Sequence, residues 1–486
     1  MPIKVGFRCA SVLILLGLCA PMHAYADQLM SIPTAIEQAA KDAGIPLSAV
    51  SIEVKGPEGN ILLALNADVP RKTGSVMKLI TTFVALQELG PDFRFHTDLL
   101  ADPDPLHRGK WNMALRGGGD TAFQYADLLK LLGQLKNRGI SQLHGAIVID
   151  RLRFADEKDL TTGIELAPNG VSGIVPDALS VGYSAIEVRL PANHQGSIKL
   201  DPPFRVSRPK LMKGIEQQDC PKDWEDGLSL IAADSVGAVK GGLELIGEWP
   251  RNCPEGVLHR APLTPREQLE WSLRLTARQI GLSNHVEIID GVAPSYAKVS
   301  IRYLSPPLAS LVRDINKYSN NVAARSLLLN LAAEKGYLPA TAQDGAKLVQ
   351  SWLKSHHLIF PELMIENGAG LSHKEVMSAA HLAEFLMLSS QEAEFPYFLD
   401  SLPISGELGT LQNRFLVSAD RMQWHLKTGR LEGVRTLAGF HVGTDGALTS
   451  VVCMIEDRKA NMALGIQEAL LDWVRLKEID TNSSSK

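Results

Sequence analysis

Apolar and polar positions follow two periods in the first 90 residues of this chain. Residues 33–43 have the spacing of an amphipathic helix, whereas residues 49–55 and 60–66 have patterns typical of strands. A Gly-Pro-Glu-Gly turn at 56–59 separates the two strands and predicts a β-hairpin. Residues 75–89 are apolar on nearly every side, and this pattern predicts a buried helix.

The pattern changes after residue 90, where short strand-like runs and many turns extend to about residue 290. Helical periods then return, followed by strand-like runs and a closing amphipathic helix. The helices are predicted at 308–335, 341–356 and 378–388, and the strands at 422–426, 435–442 and 448–456. This order predicts an α+β chain of several domains, in which a β-rich middle interrupts a unit of helices and antiparallel sheet.

The composition is that of a globular protein with a large core. Of 486 residues, 45% are apolar and 21% are charged. At about 150 residues per domain, this length predicts about three structural units. The 49 basic and 54 acidic side chains leave a net charge of −5, so no basic surplus indicates a nucleic-acid partner.

The first 26 residues have the pattern of a secretory signal peptide. Lys4 and Arg8 precede a short apolar run, and Ala24 and Ala26 supply the small residues of a cleavage site. The apolar run is too short to span a bilayer, and no later segment approaches a membrane span. We therefore expect a periplasmic protein that keeps no transmembrane segment after cleavage.

Export makes the later cysteines candidates for oxidation. Cys220 and Cys253 each precede a proline in turn-rich sequence, whereas Cys453 lies in an apolar, strand-like run. We expect a disulfide between Cys220 and Cys253 and a buried thiol at Cys453; the alternative is three free thiols. No Cys-x-x-Cys or paired Cys/His spacing indicates a metal site.

Three short patterns carry the candidate chemistry. Ser-x-x-Lys occurs five times, but only the copy at Ser75 and Lys78 begins a buried helix. There a lysine three residues after a serine can take its hydroxyl proton, and the helix N-terminus disfavours the protonated amine. Ser-x-Asn occurs once, at Ser319 and Asn321, and a Lys-Thr-Gly that begins at Lys427 ends a predicted strand. This ordered set predicts a serine-nucleophile site.

With these motifs the chain resembles the penicillin-recognising serine D-Ala-D-Ala peptidases. Within them it resembles the class C low-molecular-mass penicillin-binding proteins, of the penicillin-binding protein 4 type. Further motifs of this resemblance lie at 117–120, 144–150, 368–372 and 401–406. It implies a penicillin-recognising (β-lactamase/transpeptidase-like) catalytic domain from residues 27–90 and 290–480. Two small β-rich domains would be inserted at 91–289.

The resemblance also implies roles for the first two motifs. Ser75 would be the nucleophile and Lys78 its base. Ser319 would relay the proton to the leaving amine, and Asn321 would orient Lys78 and the substrate amide. This chemistry needs neither a metal nor an organic cofactor.

The third motif would bind the substrate. Lys427, Thr428 and Gly429 would hold the terminal carboxylate, and the Arg430 amide would form half of an oxyanion hole with the Ser75 amide. Arg430 stands where the family usually has a small hydroxyl residue, and Glu366-Asn-Gly replaces Asp-Gly-Ser. The Arg430 amide persists whatever its side chain, but a long cation at the cleft mouth could change which leaving group is accepted.

The resemblance implies DD-carboxypeptidase and DD-endopeptidase activity on peptidoglycan stem peptides, with β-lactams as acylating substrate mimics. Homodimers occur in the family, so a homodimer is a possible state. Two alternatives remain open at this point. One is a β-lactamase or esterase of the same fold, and the other is a non-catalytic protein that binds the cell wall.

Overall fold

The computed structural model describes residues 32–156, 170–207, 220–221, 224–233, 242–250, 252–282, 287–407, 409–415 and 421–484. The predicted signal peptide, residues 1–26, lies outside the described residues. Within the described part of the chain, no helix combines the length and the apolar character that crossing a membrane requires.

The described residues contain ten α-helices. They are α1 (Thr34–Ala43), α2 (Met77–Leu89), α3 (Tyr125–Asn137), α4 (Pro265–Gln279), α5 (Leu308–Tyr318), α6 (Asn321–Glu334), α7 (Ala342–Ser355), α8 (Ala379–Ser389), α9 (Phe395–Ser401) and α10 (Leu464–Ser484).

The same residues form eighteen strands. They are β1 (Val50–Lys55), β2 (Ile61–Leu65), β3 (Arg71–Lys72), β4 (His96–Pro103), β5 (Trp111–Gly117), β6 (Leu143–Asp150), β7 (Ile186–Leu190), β8 (Lys199–Asp201), β9 (Arg205–Ser207), β10 (Leu228–Ala232), β11 (Gly242–Gly247), β12 (Gly256–Arg260), β13 (Glu287–Asp290), β14 (Val299–Leu304), β15 (Val376–Met377), β16 (Trp424–Leu431), β17 (Val434–Val442) and β18 (Leu448–Glu456).

An antiparallel sheet joins the two ends of the chain. Its strand order is β16-β17-β18-β1-β2, and Val50 faces Ile455 where β1 pairs with β18. The predicted hairpin forms two of these strands, and the predicted C-terminal strands form the other three. Apolar side chains alternate across the sheet, so α1 and α10 cover one face, and α2 and α8 cover the other. The sheet therefore has a core on both sides, and β16 and β2 are its edge strands.

Helix α2 lies at the centre of the helical part. Its residues from Met77 to Leu86 are all buried, which confirms the predicted all-round burial. Phe83 makes edge-to-face contacts with Trp352, Phe385 and Phe398, at centroid distances of 5.8, 5.7 and 5.1 Å. These rings come from α7, α8 and α9, so the packing around one aromatic residue fixes the position of α2.

The middle of the chain contains a second five-stranded sheet and two three-stranded sheets. The larger sheet has the order β13-β6-β5-β4-β14, and α3 and α4 pack on it. Neither helix was predicted, although Thr264 and Glu267 form a capping box with a proline at the first turn of α4. The domain boundaries at 90 and 290 stay a prediction.

Two elements near the predicted site differ from the sequence expectation. The helix predicted at 308–335 is divided into α5 and α6, because Ser319 has a left-handed backbone with φ 56° and ψ 39°. The strand expected to end at residue 426 continues to Leu431, so Lys427-Thr-Gly lies inside β16. Both differences change how the motifs present their side chains.

Candidate active site

Ser75 lies in the turn that precedes α2. Residues Gly74–Val76 form one 3₁₀ turn that continues into the helix, so Ser75 stands at its positive end. Two glycines from distant segments enclose the turn. A Cβ on Gly370 would lie 1.7 Å from the Gly74 carbonyl oxygen, and a Cβ on Gly429 would lie 2.8 Å from the Ser75 nitrogen. Backbone from both segments therefore packs directly against the turn that carries Ser75.

Lys78 connects Ser75 to the second motif. Its side chain is fully buried, and its Nζ donates hydrogen bonds to Ser75 Oγ at 2.9 Å, Asn321 Oδ1 at 2.6 Å and the Ala369 carbonyl at 2.5 Å. Burial holds the pKa of Lys78 well below its ordinary value, and the positive charge of Lys427 lowers it further. A lysine in this environment releases a proton more readily than a free lysine, and its neutral form could accept the Ser75 proton.

Ser319 occupies the break between α5 and α6. Its left-handed backbone turns the chain away from the α5 axis, and the Asn320 side chain caps α6 through the Ala323 amide. The break places Asn321 at the first position of α6, within hydrogen-bond distance of Lys78. Strained backbone at a non-glycine residue is common at functional sites.

Lys427 is the second buried lysine of the site. Its Nζ donates to Ser319 Oγ at 2.9 Å and to the Thr428 carbonyl at 2.8 Å. Burial lowers the pKa of Lys427 to about 7. The structure therefore brings Ser75, Lys78 and Asn321 into one hydrogen-bonded group and links Lys427 to Ser319 in a second group beside it.

The rest of the third motif forms the open edge of β16. The Leu426 amide points away from β17 and donates to the Pro403 carbonyl at 2.9 Å. Amides two residues apart on a strand point the same way, so those of Thr428 and Arg430 also face the edge. The Arg430 nitrogen lies 3.3 Å from the position of a Cβ on Gly74, beside the turn Gly74–Val76. The Arg430 side chain is exposed.

The loop at 366–370 has no assigned role among the sequence predictions. This loop supplies the Ala369 carbonyl that contacts Lys78, and the Gly368 amide of the loop donates a hydrogen bond to the Glu375 carboxylate. The glycine-rich motif at 368–372 was a signal for the close backbone contact. No local pattern indicated the burial of Glu375, which is 0% exposed.

The predicted cysteine pair lies in the middle of the chain. Cys220 and Cys253 are joined by a disulfide with a Cα–Cα distance of 4.9 Å, and Cys253 is buried with the apolar residues of β7, β10, β11 and β12. Cys453 is buried in β18, and burial raises the pKa of its thiol to about 12. Among the described residues, no group of three or more His, Cys, Asp or Glu side chains is arranged to hold a metal ion.

Comparison with known proteins identifies a family for this chain. The profile of the D-Ala-D-Ala carboxypeptidase 3 (S13) family matches residues 33–476, which include all three motifs. The chain belongs to this family. Its membership confirms the predicted resemblance and the predicted class of serine-type D-Ala-D-Ala carboxypeptidases.

Relatives of this S13 chain include two enzymes with related names. The D-alanyl-D-alanine carboxypeptidase DacB of Haemophilus influenzae is 24% identical over 408 residues, which are 82% of this chain and 83% of that protein. The D-alanyl-D-alanine carboxypeptidase of Actinomadura sp. is 25% identical over 427 residues, which are 83% of this chain and 76% of that protein.

A solved structure has the same fold. Penicillin binding protein 4 (dacB) from Haemophilus influenzae superposes with a TM-score of 0.73 at 22% identity, covering 90% of this chain and 99% of that one. The same protein in complex with a β-lactam gives a TM-score of 0.67 at 21% identity, covering 87% and 96%. The predicted α+β, penicillin-recognising fold is thereby confirmed.

Proposed function

We propose that this S13 family member is a serine DD-peptidase that cleaves D-Ala-D-Ala-type bonds of peptidoglycan stem peptides and cross-links through an acyl-enzyme on Ser75. One observation carries the proposal. The Nζ of a fully buried lysine lies 2.9 Å from the hydroxyl of a serine at the start of a buried helix. Such a pair supplies both the nucleophile and its base.

Acylation follows from this arrangement. Ser75 Oγ attacks the carbonyl carbon between the two D-alanine residues, and its proton moves to the neutral Nζ of Lys78. The amides of Ser75 and Arg430 stabilise the negative oxygen of the tetrahedral intermediate. The C–N bond then breaks, and the proton that Lys78 took from Ser75 passes through Ser319 to the leaving amine, which returns Lys78 to its neutral form. The Ser319 hydroxyl lies 2.9 Å from Lys427 Nζ.

Deacylation regenerates the enzyme by the same groups. A water molecule gives a proton to the neutral Lys78 and attacks the Ser75 ester, and Lys78 returns that proton to the Ser75 oxygen as the ester bond breaks. Thr428 and Lys427 are positioned beside the open edge of β16, where they would hold the carboxylate of the leaving residue. A free D-alanine and a cross-linked peptide both carry such a carboxylate, so carboxypeptidase and endopeptidase reactions use the same site.

The location of the substrate agrees with the predicted export. Peptidoglycan lies outside the cytoplasmic membrane, and the relatives named above are bacterial carboxypeptidases for D-alanyl-D-alanine. We propose a periplasmic location, in which the enzyme meets stem peptides and β-lactams.

The test is the intact mass of the protein after incubation with benzylpenicillin. The wild type is expected to gain one penicilloyl group, whereas Ser75→Ala gains none. Ser351→Ala is the matched control, because Ser351 and Lys354 form another Ser-x-x-Lys pair on the exposed side of α7, and it should gain the group. An adduct on Ser75→Ala, or none on the wild type, contradicts the proposal. Rapid turnover of penicillin without a stable adduct would instead indicate a β-lactamase.

The peptide reaction needs its own measurement. The wild type should release D-alanine from a synthetic peptide that ends in D-Ala-D-Ala, and Ser75→Ala should not. A protein that forms the penicilloyl adduct but releases no D-alanine would contradict the proposed peptidase activity.

A further inference from the structure

Glu375 is a fully buried carboxylate beneath the active-site loop. It has no cation as a direct partner among the described residues, since Lys374 pairs with Glu366 at 2.8 Å. Four backbone amides of the loop donate to it instead. The donors are Glu366, Asn367 and Gly368 to Oε1 at 3.1, 2.9 and 2.8 Å, and Gly370 to Oε2 at 2.8 Å. A carboxylate that accepts four amide hydrogen bonds is strongly fixed in place.

The loop that Glu375 holds contacts the catalytic group at two points. Its Ala369 carbonyl accepts a hydrogen bond from Lys78 Nζ at 2.5 Å. Its Gly370 packs against the Gly74 carbonyl, where even a Cβ would collide. The Glu375 carbonyl also accepts from the Thr73 amide at 3.0 Å. One residue therefore ties together the loop and the turn that carries the nucleophile.

Burial raises the pKa of Glu375, whereas the four loop amides, which all donate to it, favour its ionised form. Lys78, Lys427 and Glu375 are each 0% exposed. The groups that contact Lys78 Nζ are neutral: Ser75 in the turn before α2, Asn321 in α6 and the Ala369 carbonyl in the loop. Burial and Lys427 lower the pKa of Lys78, whereas the negative charge of Glu375 raises it. A protonated Lys78 thus has one unfavourable and one favourable charge near it.

We propose that Glu375 is a positioning residue for acylation, which holds the Ala369 carbonyl against Lys78 and stabilises this lysine after it has taken the Ser75 proton. The proposal rests on the function proposed above, in which Lys78 is the base. A glutamine removes the charge, and its oxygen can still accept from the three amides that bind Oε1, whereas its amide nitrogen cannot accept from the Gly370 amide. An aspartate keeps the charge, but it is one methylene too short to reach all four amides.

Two variants separate the effect of the Glu375 charge from the effect of its side-chain length. In Glu375→Gln, the titration midpoint of Lys78 should move to lower pH by about one unit, the low end for loss of a nearby opposite charge. In Glu375→Asp, the midpoint should stay in place, while penicillin acylation slows about 100-fold because the Ala369 carbonyl is displaced. Glu366→Gln is the control: it removes a neighbouring carboxylate that lies on the outer side of the loop, and it should change neither quantity.

The midpoint is measured by NMR on protein labelled with ¹³C in the lysine ε-carbon, with Lys78→Met for assignment. This readout does not depend on activity, so it separates this proposal from the proposed function, which fails if Ser75→Ala is acylated. An unchanged Lys78 midpoint in Glu375→Gln overturns the role of the charge. If that variant does not fold, Glu375→Asp decides: acylation at the wild-type rate overturns the positioning role, and the expected slowing supports it.

Discussion

Two lysine side chains, Lys78 and Lys427, lie without solvent contact at the candidate active site, and the burial of both opposes folding. An ammonium loses its hydration when it is buried, so the folded state favours the neutral amine. The pKa of Lys427 is lowered from its ordinary value of 10.5 to about 7, and that of Lys78 is lowered as well. Unlike a structural ion pair, this arrangement gives up stability for a reactive amine.

The destabilisation of the folded state by buried Lys427 should decrease as the pH rises. The unfolded chain binds a proton at Lys427 up to about pH 10, whereas the folded protein releases it near pH 7. The destabilisation is complete below pH 7 and disappears as the pH rises toward 10.5, because the unfolded state binds more protons in that interval.

Lys427→Met should therefore be more stable than the wild type at neutral pH and unable to acylate. We expect a gain of about 2–4 kcal/mol in the free energy of unfolding at neutral pH, most of which is lost at alkaline pH. Denaturant unfolding at both pH values measures it. Lys354→Met, at an exposed position of α7, serves as the control. A gain that does not change with pH would contradict the linkage argument.

At the scale of elements, the ends of helices and strands place the catalytic groups. The α5–α6 break places the Ser319 hydroxyl next to Lys427 and the side-chain amide oxygen of Asn321 next to Lys78. Edge strand β16 lies beside the turn Gly74–Val76. The amides of Thr428 and Arg430 point outward and make no hydrogen bond to β17. A continuous helix at 308–335, or a strand that ended at residue 426, would offer neither.

The left-handed backbone at Ser319 should destabilise the folded protein through strain. Left-handed backbone costs a non-glycine residue about 1–2 kcal/mol. Ser319→Gly and Ser319→Ala both lose the hydroxyl and should acylate slowly, but only the glycine relieves the strain. The free energy of unfolding of Ser319→Gly should exceed that of Ser319→Ala by about 1 kcal/mol. Equal stabilities in denaturant unfolding would argue against strain at this position.

The Arg430 side chain should contribute to substrate binding at the edge of β16. Its side chain is exposed and lies opposite Arg435, and burial together with the charge of Arg430 lowers the pKa of Arg435. This pair of cations should attract anionic ligands to the mouth of the site. Arg430→Ala should raise KM for carboxylate-bearing peptides by about fivefold or less, as expected for an exposed charge, and should change kcat little.

The Arg430 amide is tested by a different substitution. Arg430→Pro removes the outward N–H, and a proline is tolerated at this position of an edge strand. Loss of one oxyanion donor should lower kcat by about 10²–10³-fold. Steady-state kinetics on a D-Ala-D-Ala peptide compare the two variants. A proline variant as active as the alanine variant would show that this amide is not part of the oxyanion hole.

At the scale of the whole molecule, the catalytic unit is assembled from distant parts of the chain. Strand β1 pairs with β18, so Val50 faces Ile455, and the second five-stranded sheet is formed by residues between them. The Cys220–Cys253 disulfide belongs to the smaller sheets of this middle part, whose apolar cluster is separate from the cluster around α2.

Removal of the disulfide should therefore act locally. The bridge closes a loop across a sequence separation of 33, and its loss should cost about 3–4 kcal/mol of chain-entropy stabilisation. In the double variant Cys220→Ser/Cys253→Ser, hydrogen exchange should increase in β7, β10, β11 and β12. The rate of penicillin acylation should remain that of the wild type. A parallel loss of acylation would mean that the two clusters are coupled.

Much of this protein could be predicted from its residues because the relevant signals are local. The hairpin β1–β2, the all-round burial of α2 and the Ser75–Lys78 pair depend on side chains within one or two turns of each other. The helices α3 and α4 were missed within sequence that was read as strands and turns, although the capping box before α4 was a usable signal.

Tertiary structure decided the rest, because those features depend on backbone groups far away along the chain. The break at Ser319 occurs where the segment meets Lys427, and β16 extends past residue 426 because β17 pairs with it as far as Val434. The burial of Glu375 is compensated by loop amides that become its donors only when the loop packs against α2. By itself, the sequence determined which groups could react. The packing of distant segments determined their protonation and their alignment, since desolvation and hydrogen-bond geometry exist only in the folded chain.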